Sequence, residues 1–166
     1  SFQDVRRFGT WNVVVALKDG LPRQIGPDAL APDFTADHLS SALRRKSGTV
    51  KGALLDQSTL AGLGNIYVDE ICFMAGLDPR KRANTIGKRK SKQLFTAIHD
   101  TLNKALNQGG STFSNYVNAY GIPGGALDHC NVYGRTGMEC YGCGQTIKKI
   151  KIVGRGTHYC PRCQTR

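Results

Sequence analysis

The 166-residue sequence predicts a mainly α protein with a small β part at its C-terminal end. Three observations carry this. The stretch "KQLFTAIHDTLNKALNQ" sets Leu94, Phe95, Ile98, Leu102, Ala105 and Leu106 on one stripe, at the i, i+4, i+8 spacing of a buried helix face. Shorter helical runs precede it, separated by turns rich in glycine and proline. Near the end, "ECYGCGQTIKKIKIVGRGTHYCPRC" places two Cys-x-x-Cys pairs around a basic segment that alternates about Gly154-Arg155-Gly156, the pattern of a metal-locked hairpin.

In chain order, "TWNVVVALKDG" predicts a strand over residues 10–17, ended by Asp19-Gly20. "LPRQIGPDALAPDF" reads as a linker. "TADHLSSALRRK" predicts a short helix with Leu39 and Leu43 on one face, and "TVKGALLD" a second. The glycines of "QSTLAGLGN" then break the helical pattern. Asn65 is a candidate N-cap for "IYVDEICFMAG", which Gly76 can terminate. "DPRKRANTIGKRKSK" reads as a loop crowded with base, without acid after Asp78. Ser91 is the expected cap of the long helix, and Gly109-Gly110 its end. "STFSNYVNAY" predicts a last short helix, and "GIPGGALDH" a flexible loop.

Twenty-three Lys and Arg against 12 Asp and Glu give a formal net charge of +11. Such an excess points to an anionic partner, nucleic acid first; the alternative is a face of solvated lysines. The longest apolar run, "NVVVAL", is strand-sized and too short to cross a bilayer. Ser1 opens directly into "FQDVRRFG" without a secretory pattern, so the expected compartment is the cytoplasm.

Cys140, Cys143, Cys160 and Cys163 carry the strongest chemical signal. Two residues between ligands let a tight turn aim both thiolates at one ion, and the hairpin returns the second turn beside the first. Four sulfurs close a tetrahedron, so the expected cofactor is one structural Zn2+ per chain, with no open coordination position. The alternative is a pair of redox disulfides, which the absence of a thioredoxin-like context disfavours. His158 reads as a strand flank rather than a ligand, and Cys72 and Cys130 as reduced, buried thiols. Arg155, between two glycines that allow a sharp bend, is expected at an exposed tip, suited to a phosphate or a groove. In "LAGLGNIYVDE", glycines before a helix let the backbone approach an anion, and Asn65 can cap the helix or reach a phosphate oxygen.

The segments "RRFG" at 6–9, "KGALLDQ" at 51–57, "GLGNIYVDE" at 62–70, "QGGST" at 108–112, "VYGR" at 132–135 and the terminal "GRGTHYCPRCQ" resemble, in order, the C-terminal portion of a bacterial formamidopyrimidine-DNA glycosylase. The resemblance implies a helix-two-turn-helix domain plus a C-terminal zinc-ribbon β-hairpin, preceded by a strand remnant of the family's N-terminal β-sandwich. The expected division is 1–20 sandwich remnant, 21–34 linker, 35–130 helix-two-turn-helix DNA-binding domain and 131–166 zinc finger.

The implied activity is base-excision repair. A bifunctional DNA glycosylase and AP lyase removes oxidised purines (8-oxoguanine, formamidopyrimidines) from double-stranded DNA. The damaged nucleotide is flipped out, an N-terminal proline amine displaces the base, and β- and δ-elimination follow. Neither that proline nor the catalytic glutamate that follows it is present from Ser1 onward, so the chain alone is expected to be inactive.

The resemblance also assigns roles. Arg6 faces the orphaned cytosine and Phe8 is the wedge beside it. Lys46 and Lys51 line the DNA side of the helical domain, while Asn65 and Tyr133 grip phosphates. Arg155 touches phosphates near the lesion and acts in the elimination step, by charge stabilisation rather than proton donation. The expected state is a monomer on damaged duplex DNA in the bacterial cytoplasm, associated with the nucleoid and not with a membrane. The alternative is a stand-alone zinc-ribbon nucleic-acid-binding module without catalysis.

Overall fold

The computed structural model describes Val13 and residues 15–16, 25–107 and 130–165. The expected strand at 10–17, the helix at 111–120, the loop at 121–129 and the assigned residues Arg6 and Phe8 lie outside the described residues, wholly or in most of their length.

The elements run α1 (Ala36–Arg44), α2 (Val50–Leu55), α3 (Asn65–Met74), a 3-10 turn (Ala83–Thr85), α4 (Lys88–Asn107), then β1 (Lys148–Ile152) and β2 (Arg155–Tyr159). Threonines start the first two helices. Thr35 Oγ1 accepts from the His38 N–H at 3.2 Å, and Thr49 Oγ1 from the Gly52 N–H at 3.1 Å. Each satisfies one orphan donor of a helix start. Gly76, at φ +59°, turns the chain out of α3 in the left-handed conformation that a Cβ disfavours.

α4 packs against α1 and α3. Leu94 and Ile98 share the main core with Leu39, Leu43, Leu54, Val68 and Ile71. Burial of each such side chain contributes about 1.5–3 kcal/mol. Phe95 and Leu102 are half-buried, with the Phe95 ring tilted on Phe34 at 5.5 Å, but Leu106 is 66% exposed and leaves the predicted stripe at its last member.

Three boundaries differ from expectation. Residues 25–34, read as linker, belong to the packed body. Ala29 and Phe34 are buried, and a Cβ on Gly26 would meet the Ser58 carbonyl oxygen at 2.8 Å. The basic stretch 78–92 is not one loop, since α4 begins at Lys88. Ser91 is therefore inside α4 and buried, its N–H donating to the Gly87 carbonyl at 2.9 Å, and it caps nothing.

β1 and β2 form an antiparallel hairpin with Ile152 opposite Arg155. The connection is the two residues Val153 and Gly154, at φ 42° and 77°. Positive φ at both positions matches the twist of the strands. Glycine adopts it freely; valine, branched at Cβ, is strained there. A second small core of Val132, Cys140, Ile147 and Cys160 sits under the hairpin, and Phe73 of α3 packs into it. No helix among the described residues is long and apolar enough to cross a membrane.

Candidate metal centre and nucleic-acid interface

The four Sγ atoms of Cys140, Cys143, Cys160 and Cys163 lie within 4.8 Å of one another. Cys140 and Cys163 are 3.8 Å apart, Cys143 and Cys160 3.5 Å. A tetrahedron of Zn–S bonds of about 2.3 Å has edges of about 3.8 Å, so the cluster fits zinc. Backbone turns preset it: Gly144 N–H donates to the Cys140 carbonyl at 2.8 Å, and Cys163 N–H to Cys160 Sγ at 3.4 Å. A backbone hydrogen bond from Gln145 pulls the Cys143 thiol down to about 7, whereas burial raises the Cys160 thiol and the hydrogen bond with Cys143 raises that of Cys163, so these thiols hold their protons unevenly. His158 is not part of the set; its Nδ1 faces Asp69 Oδ2 at 3.2 Å. Cys72 and Cys130 are buried thiols, as expected, and burial raises the Cys72 thiol well above its usual range.

A buried polar node joins this finger to the helices. The Gly156 carbonyl on β2 accepts from Asn65 Nδ2 at 3.0 Å and from Lys51 Nζ at 3.1 Å. Lys51 Nζ also meets Asp69 Oδ1 at 2.6 Å, with both side chains at 0% exposure. The other oxygen of Asp69 accepts the His158 N–H at 2.8 Å. One residue on, Glu70 accepts the backbone N–H groups of Asn131, Val132 and Tyr133 at 2.7–2.9 Å and Asn131 Nδ2 at 2.9 Å. At the far side, Gln164 accepts from the Cys160 N–H at 2.7 Å and donates to the Leu77 carbonyl at 3.0 Å.

This arrangement corrects two expectations. Asn65 is not the N-cap of α3: Gly64 occupies that position without a capping side chain, and Asn65 is the first helical residue, its amide spent on Gly156. Lys51 is not an exposed cation on a DNA-facing surface; it is enclosed beneath the hairpin.

Of the other assigned residues, Asn65 and Arg155 come together, because Arg155 is exposed immediately before the carbonyl that Asn65 holds. Arg155 opens β2 beside the two-residue turn. Tyr133 is half-buried, its ring edge-on to His158 at 4.9 Å. Lys46 stands apart, paired with Asp56 at 2.7 Å on a cleft of about 500 Å³ that His38, Ser41, Arg45 and Ser58 also line.

Sequence reasoning missed Asp69, Glu70 and Gln164. One signal was available for Asp69: it stands four residues after Asn65, on the same helix face.

Comparison with known proteins adds the lineage. The formamidopyrimidine-DNA glycosylase H2TH domain family matches residues 25–117, and the zinc finger found in FPG and IleRS matches residues 139–166. With the four-sulfur geometry, the second match makes the cluster the seat of one structural zinc ion.

The formamidopyrimidine-DNA glycosylase of Listeria monocytogenes serotype 4b is 43% identical over 166 residues, covering 98% of this chain. That of Bacillus subtilis (strain 168) is 42% identical over 168 residues, covering 99%. The chain spans 61% of the length of each.

Among solved structures, the MutM (Fpg) protein of Thermus thermophilus superposes with a TM-score of 0.81 at 38% identity, over 85% of this chain and 54% of that one. A complex between Lactococcus lactis Fpg and DNA containing an abasic site superposes with a TM-score of 0.79 at 41% identity, over 86% and 52%. Agreement of sequence over nearly the whole chain, and of fold over most of it, has one explanation: the chain belongs to the formamidopyrimidine-DNA glycosylase family.

Proposed function

We propose that this chain is the duplex-gripping portion of a bifunctional DNA glycosylase and AP lyase that removes oxidised purines from DNA. The observation that carries the reading is the Gly156 node. It ties the first residue of α3 to the residue after Arg155, so the glycine-bent helix start and the cationic hairpin act as one clamp. The N–H groups at the start of α3 have no capping side chain, and the helix dipole adds partial positive charge there. A phosphate oxygen suits both.

In this reading the backbone N–H of Asn65, together with Tyr133 and Lys46, contacts the backbone of the duplex, and Arg6 and Phe8 enter the space left by the flipped nucleotide. Arg155 stabilises charge on the departing phosphate during elimination. Lys51 acts from below, by fixing the carbonyl beside Arg155. The displacement itself needs an amine nucleophile and an acid. The resemblance assigns these to an N-terminal proline and a glutamate, rather than to any residue of these 166. The working unit is a monomer on double-stranded DNA in the bacterial cytoplasm, at the nucleoid.

The test compares affinity for a duplex with an abasic site, the intact duplex and a hairpin RNA. Preference for the abasic duplex, with affinity falling steeply with salt, is expected. Equal affinity for all three would favour the stand-alone zinc-ribbon module instead. Borohydride added to the chain with abasic duplex should trap no covalent adduct; an adduct would place the amine nucleophile within these residues.

A further inference from the structure

The structure holds a second basic surface that the clamp does not use. Residues 79–83 run antiparallel beside 48–51: the Val50 N–H donates to the Lys81 carbonyl at 2.7 Å, and the Ala83 N–H to the Gly48 carbonyl at 2.9 Å. Ala83 and Ile86 anchor this segment in the core, leaving Arg82, Lys88, Arg89 and Lys92 exposed and Lys81 half-buried. Among the described residues, no carboxylate pairs with any of these five; Asp78, the last acid before them, binds Arg80 at 2.6 Å.

The first turn of α4 carries Lys88, Arg89 and Lys90 and no acid. Cations at a helix start oppose the dipole, so their own helix gains nothing from them. Lys90 is accounted for, since it donates to the Ala75 carbonyl at the end of α3 at 2.8 Å. Its ammonium is held below the usual lysine range, first by burial and then by the like charges of Arg89 and Lys81.

We propose that Lys81, Arg82, Lys88, Arg89 and Lys92 form a second contact surface for the phosphate backbone of the same duplex. The partner follows from charge complementarity. A patch of cations with which no carboxylate among the described residues pairs fits a regular polyanion. Lys88, Arg89 and Lys92 open α4 beside the end of α3, where Lys90 holds the Ala75 carbonyl, while residues 79–83 run beside 48–51, next to the buried Lys51 of the node. Contacts here position the duplex and read no sequence.

The inference rests on the DNA-binding reading above, and the experiment separates the two. Lys88→Ala/Arg89→Ala removes two exposed charges whose loss relieves the start of α4, so the variant folds. The comparison is an Arg44→Ala/Lys104→Ala control of equal charge, with both sites also exposed. The expected result is at least tenfold weaker binding of duplex DNA than the control, and a log K against log[salt] slope reduced by about 2, since each phosphate contact contributes about 0.9. The ratio of abasic to intact affinity should not change. Equal affinities and slopes for the two variants would overturn the second surface, as would a larger loss on hairpin RNA than on duplex DNA. Failure of the unmodified chain to bind any duplex would overturn the underlying reading instead.

Discussion

Lys51→Met is the sharpest test of the node. Lys51 and Asp69 are both fully buried with 2.6 Å between their charged atoms, so removing the ammonium leaves a carboxylate out of water facing only the backbone N–H and ring of His158. Breaking one side of a buried pair costs about 3–5 kcal/mol, mostly the penalty of the orphaned charge. Gly156 also loses one of its two donors, worth about 1 kcal/mol. Adding Asp69→Asn removes the second charge while keeping an oxygen for the His158 N–H, so the double variant should recover about 2 kcal/mol or more of the sum of the single losses. Urea unfolding at pH 7, followed by far-ultraviolet circular dichroism, measures all four species. DNA affinity measured on the folded variants should fall together with the loss of hairpin position. A Lys51→Met loss below about 1 kcal/mol, or additive single losses, would refute the claim that this pair holds the finger to the helices.

Three further outcomes follow from particular contacts. Cys143→Ser, or stripping zinc with a chelator, should unfold the ribbon and remove most of the DNA affinity while α1–α4 keep their helical signal; a ribbon that stays ordered without zinc would contradict the role of the metal. Val153→Asn should raise stability by about 1 kcal/mol in urea midpoints, because asparagine tolerates the positive φ that strains valine, and a lowered midpoint would show that the valine side chain matters more than its backbone. Asp56 is pulled from its ordinary 3.8 to about 2, chiefly by the hydrogen bond from Lys46. A depressed carboxylate stabilises above its unfolded value, so this contribution is full above about pH 4 and is lost as pH falls toward 2. With both partners more than a third exposed, it should be under about 1 kcal/mol. Carboxyl NMR should put the Asp56 midpoint near 2, and Lys46→Ala should move it up toward 3.8.

How much the sequence disclosed follows the range of the interactions. The four cysteines were legible because metal geometry imposes a fixed local spacing, and the hairpin because strands and turn are contiguous. Leu94 and Ile98 were legible through helical periodicity. Leu106 was not, since periodicity gives the stripe but not how far the partner helices extend over it. The helix starts were harder. Asn65 and Ser91 are both good capping types, but Gly64 and Gly87 take the non-helical positions before α3 and α4, and the two polar side chains serve or lie inside the packed body. Lys51, Asp69 and Glu70 were least legible. A charged residue in a helical run reads as solvent-facing, and only the return of β2 and the 131–133 turn, 61 to 105 positions later, supplies the groups that make their burial tolerable.

Those late contacts explain why the zinc ion alone does not set the finger's orientation. The metal closes the two cysteine turns on each other, which fixes the ribbon internally and says nothing about where it sits. Orientation comes from consecutive carboxylates on α3, which bind different parts of the finger: Asp69 takes β2 through His158, and Glu70 takes the 131–133 turn through three backbone N–H groups. A carboxylate accepts several donors in fixed directions, so two of them on one rigid helix constrain both position and rotation. The same helix presents its first turn at Asn65. The direction of the hairpin's arginine relative to the uncapped N–H groups of α3 is therefore set by one helical element with little freedom to drift, and a duplex backbone would meet a preformed surface rather than have to assemble one.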